Sequence, residues 1–173
     1  MSDMIIRNAR LLDPASGRDE TGEIGVVDGV FSAAGAVKSA AGVVEIDAQG
    51  LCLAPGLIDL RVKTGEPGAS QKETLATASA AAVSGGVTSM VVMPDTDPVI
   101  DDVALVEFIT RRGESTGVNR IYPAGALTRG LAGEAMAEIG LMQEAGAVFF
   151  SNGETSLANA LSLIHISEPT RPY

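Results

Sequence analysis

The chain has 173 residues, a formal net charge of −10 and 46% hydrophobic residues, which indicates a folded domain with a sizeable core and excludes a disordered chain. The acidic balance argues against a nucleic-acid partner or an anionic membrane surface, because both bind basic faces. No apolar run is long enough to span a bilayer, and the N-terminal residues do not have the pattern of a signal peptide.

The first fifty residues predict a small β module. Asp28-Gly29 lies between two apolar runs, which is a strong hairpin signal. Ala48-Gln49-Gly50 closes the last strand of the module. The predicted strands cover residues 4–9, 23–27, 30–33 and 43–46.

From Leu51 onward, strands recur about every 30 residues with a helix between them, which indicates right-handed βαβ units and a parallel sheet. This periodicity alone leaves open an eight-stranded barrel and a flavodoxin-like open sheet. The predicted strands cover residues 51–60, 87–93, 121–127 and 147–150. The predicted helices cover residues 72–84, 101–112 and 131–145, and another begins at Thr155.

The C-terminal segment differs from the rest of the chain. Residues 161–171 read LSLIHISEPTR, which resembles the translated end of a transposon-based sequencing adapter. We therefore set residues 161–173 apart from the fold as an adapter-derived tail and expect the natural reading frame to continue past residue 160. The only histidine of the chain, His165, lies in this segment.

Residues 54–68 read APGLIDLRVKTGEPG and carry a family resemblance. They resemble the first barrel strand of dihydroorotases and related cyclic amidohydrolases, which follows the pattern PG-[LF]-[IV]-D-x-H-x-H-x-R-EPG. The matching positions are Pro55, Gly56, Ile58, Asp59, Leu60, Val62, Glu66, Pro67 and Gly68. Later matches include Lys72-Glu73-Thr74, Gly85-Gly86-Val87-Thr88, Met93-Pro94, Gly125-Ala126-Leu127-Thr128 and Glu144-Ala145-Gly146-Ala147-Val148.

The resemblance extends from residue 4 to about residue 160 and implies a fold. Residues 1–53 would form the N-terminal part of a small β-sandwich domain. Residues 54–160 would form the first half of an amidohydrolase TIM (β/α)8 barrel, with about four strands. The resemblance therefore favours the barrel over the open sheet.

Five functional positions depart from the family pattern although their neighbours match it. The two metal-binding histidines are replaced by Arg61 and Lys63, and the arginine that holds the substrate carboxylate is replaced by Gly65. Asp95 stands where the family has a substrate-binding asparagine, and Asn152 stands where it has an acidic metal ligand. We therefore predict a paralogue with no catalytic residue and no metal ligand in this part of the chain.

The chemistry of these replacements agrees with that prediction. The family uses zinc, which needs neutral imidazole or anionic ligands. An arginine is never deprotonated in a protein, and Arg61 faces the same side of its strand as Lys63. We expect no metal or other cofactor, and without a metal no activated water would attack a cyclic amide.

Two readings of Arg61 and Lys63 remain open. We favour salt bridges with Glu66, Asp95 or Asp97, which would fill the vacated metal site. Alternatively, the two cations bind a carboxylate or phosphate.

The resemblance implies a dihydroorotase-like protein of pyrimidine biosynthesis. We expect a catalytically inactive scaffold subunit with aspartate carbamoyltransferase as its partner, because inactive members of the family associate with that enzyme. We expect a homo- or hetero-oligomer in the full-length protein, with no nucleic-acid or membrane partner. The alternatives are an active metal-dependent dihydroorotase, or related cyclic amidohydrolase, with ligands from a later part of the protein, and an anion-binding module. The single cysteine, Cys52, is predicted to be a buried, inert thiol and favours the cytoplasm.

Overall fold

A computed structural model describes residues 3–32, 35, 37 and 42–158. The chain divides into two compact units, Met1–Pro55 and Gly56–Tyr173. Residues 155–158 have no regular secondary structure, so the helix predicted from Thr155 does not begin there. The remainder of that predicted helix and the adapter-like tail lie outside the described residues.

The first unit is a mixed sheet with the strand order β3-β2-β1-β4, in which β4 and β5 both lie parallel to β1 and the other pairings are antiparallel. Its buried core residues include Ile5, Ala9 and Leu11 on β1. The strands are β1 (Met4–Asp13), β2 (Arg18–Val27), β3 (Val30–Ser32), β4 (Val44–Asp47) and β5 (Cys52–Leu53).

The turn between β2 and β3 has the conformation that its sequence predicts. Asp28 and Gly29 have positive φ angles of 50° and 80°. A two-residue hairpin turn needs such angles to match the right-handed twist of its two strands. The hairpin of β1 and β2 is longer than predicted, since β1 continues to Asp13 and β2 begins at Arg18. There Arg10 donates two hydrogen bonds to the carboxylate of Asp19 across the strands, at 2.7 and 2.6 Å.

The prediction that Cys52 is buried is wrong. The thiol is exposed although its neighbours in the sequence are leucines. Strand β5 has only two residues and lies at the edge of the sheet, where Cys52 is opposite Arg10. A strand this short at an edge is not covered on its outer face.

The second unit winds strands and helices alternately into a curled parallel sheet. Its strand order is β6-β7-β8-β9, so each strand pairs in parallel with the next one in the chain. An open doubly wound sheet reverses its strand order at a switch point, whereas a barrel keeps sequential order. The structure therefore confirms the half-barrel. The elements are β6 (Leu57–Val62), α1 (Leu75–Ser84), β7 (Val87–Val92), α2 (Val103–Thr116), β8 (Arg120–Ala126), a 3₁₀ turn (Arg129–Leu131), α3 (Ile139–Glu144) and β9 (Phe149–Ser151).

The core of this unit lies between the sheet and its helices. On α2 the predicted apolar face is formed by Val106 and Ile109, which are fully buried, whereas Phe108 is partly exposed. Among the described residues, no helix has the length and apolar character needed to cross a membrane. The core includes Leu75, Met90, Val92, Val106, Ile109, Ile121 and Met142.

Helix α1 begins at Leu75, three residues later than predicted, because two sets of hydrogen bonds fix its first turn at that residue. Thr74 and Thr77 form a reciprocal capping box at the first turn. The carboxylate of Glu66, only 6% exposed, accepts a hydrogen bond from the Leu75 amide and another from Arg112 Nε, both at 2.8 Å. Glu66 therefore connects the loop after β6 to the start of α1 and to α2.

The helix predicted over residues 131–145 is reduced to the six residues of α3. Leu131 and Gly133 have φ angles of 58° and 77°, which an α-helix cannot contain. In place of helical turns, Thr128 bridges to Met136 and its hydroxyl accepts a hydrogen bond from the Gly133 amide. These local bonds give the backbone an alternative to the helix that its apolar spacing suggested.

The buried carboxylate of Glu66 gives a testable prediction about stability. In Glu66→Gln the ion pair with Arg112 is lost while the side chain keeps its shape. We expect the free energy of unfolding to fall by about 1–3 kcal/mol, because a buried acceptor of a charged donor is replaced by a neutral amide. Urea unfolding at a fixed protein concentration measures this change. The control is Glu114→Gln, an exposed position on α2, which should change stability by less than about 0.5 kcal/mol. Equal effects in the two variants would contradict the assigned role of Glu66.

Candidate functional site

The candidate site lies at the carboxyl ends of the parallel strands. Lys63 follows β6, Asp95 lies just beyond β7, and Glu154 lies beyond β9. The Nζ atom of Lys63 is 2.7 Å from Asp95 Oδ2 and 2.7 Å from Glu154 Oε1. A barrel builds its active site at this end of the strands, and here one ammonium group joins the ends of three strands.

The electrostatics of the cluster favour the charged forms of Lys63 and Glu154. Hydrogen bonding to Asp95, and then to Glu154, raises the pKa of Lys63 above its ordinary value. Hydrogen bonding to Lys63 is the main cause that lowers the pKa of Glu154. Arg61 lies at the outside of the cluster, with its terminal nitrogen 3.8 Å from Glu154 Oε1. The two cations and two carboxylates therefore balance in charge.

The predicted partners of the two cations are partly confirmed. Lys63 does pair with Asp95. Glu66, another of the three alternatives, is instead buried against the start of α1 and pairs with Arg112. Asp97 is in none of the ion pairs found among the described residues; its backbone carbonyl lies against Gly68.

Glu154 is the site residue that we did not predict. It follows the glycine after the fourth barrel strand, in the segment Ser151-Asn152-Gly153-Glu154. The carboxyl ends of all strands of a parallel sheet lie at the same end of the sheet, so an acid just after β9 lies at the same end as Lys63. The family pattern drew attention to Asn152 instead.

Asn152 supports the loop after β8 and is itself buried. Its amide oxygen accepts a hydrogen bond from the Thr128 hydroxyl at 2.8 Å, and its amide nitrogen donates to the Leu131 carbonyl at 3.3 Å. Both ends of the amide thus hold the irregular segment that precedes α3. Asn152 therefore has a structural role at the position where the family pattern has an acidic ligand.

The backbone around Gly65 leaves no room for a side chain. A Cβ atom at this position would lie 2.3 Å from the carbonyl oxygen of Ala69 and 2.7 Å from that of Glu73. The Ala69 amide also donates a hydrogen bond to the Gly65 carbonyl, which closes this loop on itself. An arginine at residue 65 would require a different loop conformation. The loop as well as the side chain therefore differs from what the substrate-holding arginine of the family pattern needs.

The residues present do not fit the zinc ion that the family resemblance implies. In the part of the chain that the structure describes, no group of three or more His, Cys, Asp or Glu side chains could hold a metal ion. The carboxylates of Asp95 and Glu154 converge on the ammonium of Lys63 instead. A cation that cannot ligate lies between them.

A cavity of about 370 Å³ lies elsewhere in the second unit. It is bounded by the end of α2 at Gly113 and Gly117 and by the start of β8 at Arg120 and Tyr122. This is the amino end of the strands, where a barrel contributes stability rather than chemistry. The cavity is therefore separate from the cluster around Lys63.

Comparison with known proteins gives consistent matches. A family model described as Dihydro-orotase-like matches residues 50–164 and so ends close to the start of the adapter-like segment. A dihydroorotase from Pelobacter propionicus is 41% identical over 158 residues, which cover 91% of this chain and 37% of that protein. A dihydroorotase from Pelotomaculum thermopropionicum is 43% identical over 157 residues, which cover 91% of this chain and 36% of that protein. A dihydroorotase-like protein from Pseudomonas putida is 38% identical over 164 residues, which cover 94% and 39% of the two chains.

Solved structures have the same fold. The L-hydantoinase (dihydropyrimidinase) of Arthrobacter aurescens matches with a TM-score of 0.77 and 25% identity, over 96% of this chain and 38% of that one. A dihydroorotase crystal structure matches with a TM-score of 0.56 and 13% identity, over 87% and 42% of the two chains, and shows the fold alone. The present chain spans little more than a third of the length of the dihydroorotases that it matches, 37% and 36% for the two named here.

The coupling between Lys63 and Glu154 gives a prediction about pH. Because the pKa of Glu154 is lower in the folded than in the unfolded chain, its stabilising contribution is present above the unfolded pKa and is lost as pH falls through the folded pKa. In Lys63→Met we expect the pKa of Glu154 to rise toward its ordinary value. Carboxyl-detected NMR titration measures it, with Lys72→Met, an exposed lysine outside the cluster, as the control. An unchanged pKa in Lys63→Met would show that the ion pair does not form in solution.

Proposed function

This chain belongs to the dihydroorotase-like family, and from that membership we propose that it is part of a non-catalytic dihydroorotase homologue of pyrimidine biosynthesis. The observation that carries the proposal is the position of Lys63 Nζ, 2.7 Å from each of two carboxylate oxygens at the barrel mouth. The ammonium group lies between the carboxylates in place of a metal ion and, together with Arg61, balances their charge. The protein would bind no zinc through this part of the barrel and would not hydrolyse dihydroorotate.

The charge that Lys63 supplies is not equivalent to that of a metal ion. Zinc lowers the pKa of a bound water to about 7, so that a hydroxide is present at neutral pH. An ammonium group only donates hydrogen bonds, and its single positive charge, together with that of Arg61, balances Asp95 and Glu154. The cluster therefore satisfies the charges of the site and leaves no activated water for attack on a cyclic amide.

The positions at which the family pattern binds the substrate are altered as well. The loop at Gly65 is closed where the family pattern has an arginine for the substrate carboxylate. Asp95 is acidic where the family pattern has a neutral asparagine, and an acid there repels a carboxylate substrate. Metal-binding and substrate-binding positions are thus replaced together, which supports loss of the whole reaction rather than a change of metal.

We propose a structural role for the protein, as a scaffold subunit that binds aspartate carbamoyltransferase in the cytoplasm. What supports this is the contrast between a retained framework and an altered site. Glu66, which matches the family pattern, connects two helices, whereas the altered residue Asn152 supports a loop. A subunit that serves as a scaffold needs the framework and not the chemistry.

A second candidate is an active metal-dependent dihydroorotase or related cyclic amidohydrolase. It is favoured by the names of relatives that are 41% and 43% identical to this chain and extend well beyond it. Such an enzyme would need a complete set of ligands from later strands. An anion-binding module is less well supported, because the Lys63 ammonium already pairs with two carboxylates.

The two candidates differ in the metal content of the full-length protein. We expect less than about 0.1 equivalent of zinc after dialysis and no hydrolysis of dihydroorotate above background, because Arg61 and Lys63 cannot act as zinc ligands while protonated. Metal analysis and a dihydroorotate hydrolysis assay measure the two quantities. The dihydroorotase of Pelobacter propionicus, purified in parallel, is the control. One tightly bound zinc together with turnover would establish the second candidate instead.

The scaffold role needs a separate experiment. Full-length protein would be mixed with the aspartate carbamoyltransferase encoded by the same genome and sized by light scattering after gel filtration. We expect a single complex heavier than either protein alone. Independent elution of the two proteins at micromolar concentrations would contradict the scaffold role and leave the absence of catalysis unaffected.

A further inference from the structure

We propose that Asn152 is a site of spontaneous deamidation and that the loop after β8 holds this reaction back. Asn152-Gly153 is the only Asn-Gly pair in the sequence. When residues 128–133 leave Asn152, its side-chain amide becomes free to react, and the product cannot re-form the contacts of the original residue. This inference concerns a modification of the chain and does not depend on the proposed function.

An asparagine that precedes a glycine can react with its own backbone. The backbone nitrogen of Gly153 attacks Cγ of Asn152 and gives up its proton, the bond from Cγ to the side-chain nitrogen breaks, and ammonia leaves. Water then opens the cyclic imide at either of its carbonyl groups, which produces aspartate or isoaspartate. Glycine has no side chain to hinder the attack. The reaction consumes water and releases ammonia, so it needs no oxidant, reductant or second protein.

The fold requires both residues of this labile pair. Gly153 has a φ angle of 62°, and a Cβ atom there would lie 3.2 Å from Cβ of Asp95. Asn152 uses both ends of its amide, because the oxygen accepts from the Thr128 hydroxyl and the nitrogen donates to the Leu131 carbonyl. A side chain at residue 153 would be strained, and an ionised aspartate at residue 152 would have no proton for Leu131. The structure therefore keeps a combination of residues that is chemically reactive.

The same contacts hold the reacting groups in place. Asn152 is only 5% exposed, and its amide is bonded to Thr128 at 2.8 Å and to Leu131 at 3.3 Å. The attacking nitrogen of Gly153 donates its proton to Ser151 Oγ at 3.1 Å. Attack requires the amide to leave both partners and the nitrogen to leave Ser151. Deamidation is therefore limited by how often this part of the barrel mouth opens.

Thr128 is the residue on which the closed state of the loop depends most. It is fully buried, and its hydroxyl accepts a hydrogen bond from the Gly133 amide at 3.0 Å. Because a hydroxyl has a single proton, that proton is the one donated to Asn152. Every partner in this network lies between residues 128 and 153, so no strand beyond β9 is needed to form it.

The product of the reaction would not hold the loop. An ionised aspartate still accepts from Thr128, but its second oxygen would face the Leu131 carbonyl, and two acceptors repel one another. Isoaspartate also inserts a methylene group into the main chain at the end of β9. The carbonyl left without a donor would favour the open loop. Deamidation thus makes the release of residues 128–133 irreversible.

The first experiment follows deamidation of the full-length protein by peptide mass mapping at mildly alkaline pH, once folded and once unfolded in guanidinium chloride. We expect Asn152 to react roughly tenfold or more faster in the unfolded protein, because two hydrogen bonds to its amide no longer have to break. Asn8 and Asn119, which precede Ala9 and Arg120, provide the internal baseline. Equal rates in the two states would overturn the proposal, and so would a rate no higher than the baseline in the unfolded protein.

A matched pair of variants tests the role of the loop. Thr128→Val removes the hydroxyl but keeps the shape of the side chain, and we expect deamidation of the folded protein to be several-fold faster, because one bond to the amide is lost. Thr110→Val is the control, since that hydroxyl bonds to the Val106 carbonyl on α2. The two variants should react equally fast in guanidinium chloride. An unchanged rate in folded Thr128→Val would overturn the assignment to this loop, and the wild-type comparison does not depend on how this variant folds.

Asn152→Asp tests the consequence of the reaction. Hydrogen exchange of peptides covering residues 128–137 should be roughly tenfold or more faster than in the unmodified protein, because the Leu131 carbonyl loses its donor. Asn119→Asp makes the same chemical change where the amide donates to the Val87 carbonyl, and it should leave exchange of these peptides unchanged. Equal exchange in Asn152→Asp and the unmodified protein would overturn the proposed release of the loop.

Discussion

The ammonium group of Lys63 lies between two carboxylates, and the arrangement of the barrel mouth depends on that contact. Asp95 and Glu154 follow different strands and would repel one another across the mouth if no cation lay between them. Lys63 Nζ, at 2.7 Å from each, allows the ends of β6, β7 and β9 to come together. The same contact raises the pKa of Lys63 and lowers that of Glu154, so the ion pairs maintain the charge states on which they depend.

The framework around this contact is that of the family, whereas five positions of the family's site pattern carry other residues. The buried carboxylate of Glu66 accepts hydrogen bonds from the first amide of α1 and from the side chain of Arg112, and so connects the loop after β6 to both helices. Gly65 allows that loop to close on itself. Asn152, at a position where the family pattern has a metal ligand, uses its amide to hold the loop after β8. The altered positions Lys63, Gly65 and Asn152 thus make structural contacts of their own.

Much of the fold could be predicted from the sequence, because the apolar rhythm of strands and helices is set by the core that they share. The motif around residues 54–68 then distinguished the barrel from the open sheet, which periodicity alone could not do. Predictions failed where local bonds outweighed apolar spacing. The positive φ angles of Leu131 and Gly133 shortened the helix before β9, and the edge position of β5 left Cys52 exposed.

The site was predicted less well than the fold. The pairing of Lys63 with Asp95 followed from two charges at neighbouring strand ends. The role of Glu154 did not, because β9 is separated from β6 by two strands and only the curvature of the sheet brings Glu154 to Lys63. Glu66 was one of three alternative partners for the two cations and pairs with Arg112 instead. Its burial beneath α1 depends on where the helix begins, which the spacing of apolar residues did not predict. Long-range curvature and exact helix ends are properties that spacing along the chain does not encode.

The central claim is that the Lys63 ammonium occupies the place of a metal ion. Crystals of the full-length protein soaked in a zinc salt, with diffraction data collected at the zinc absorption edge, test it most directly. The account predicts no anomalous peak between Asp95 and Glu154, with Lys63 Nζ still in contact with both carboxylates. An anomalous peak at that position, with Lys63 turned away and the two acids coordinating the ion, would contradict it.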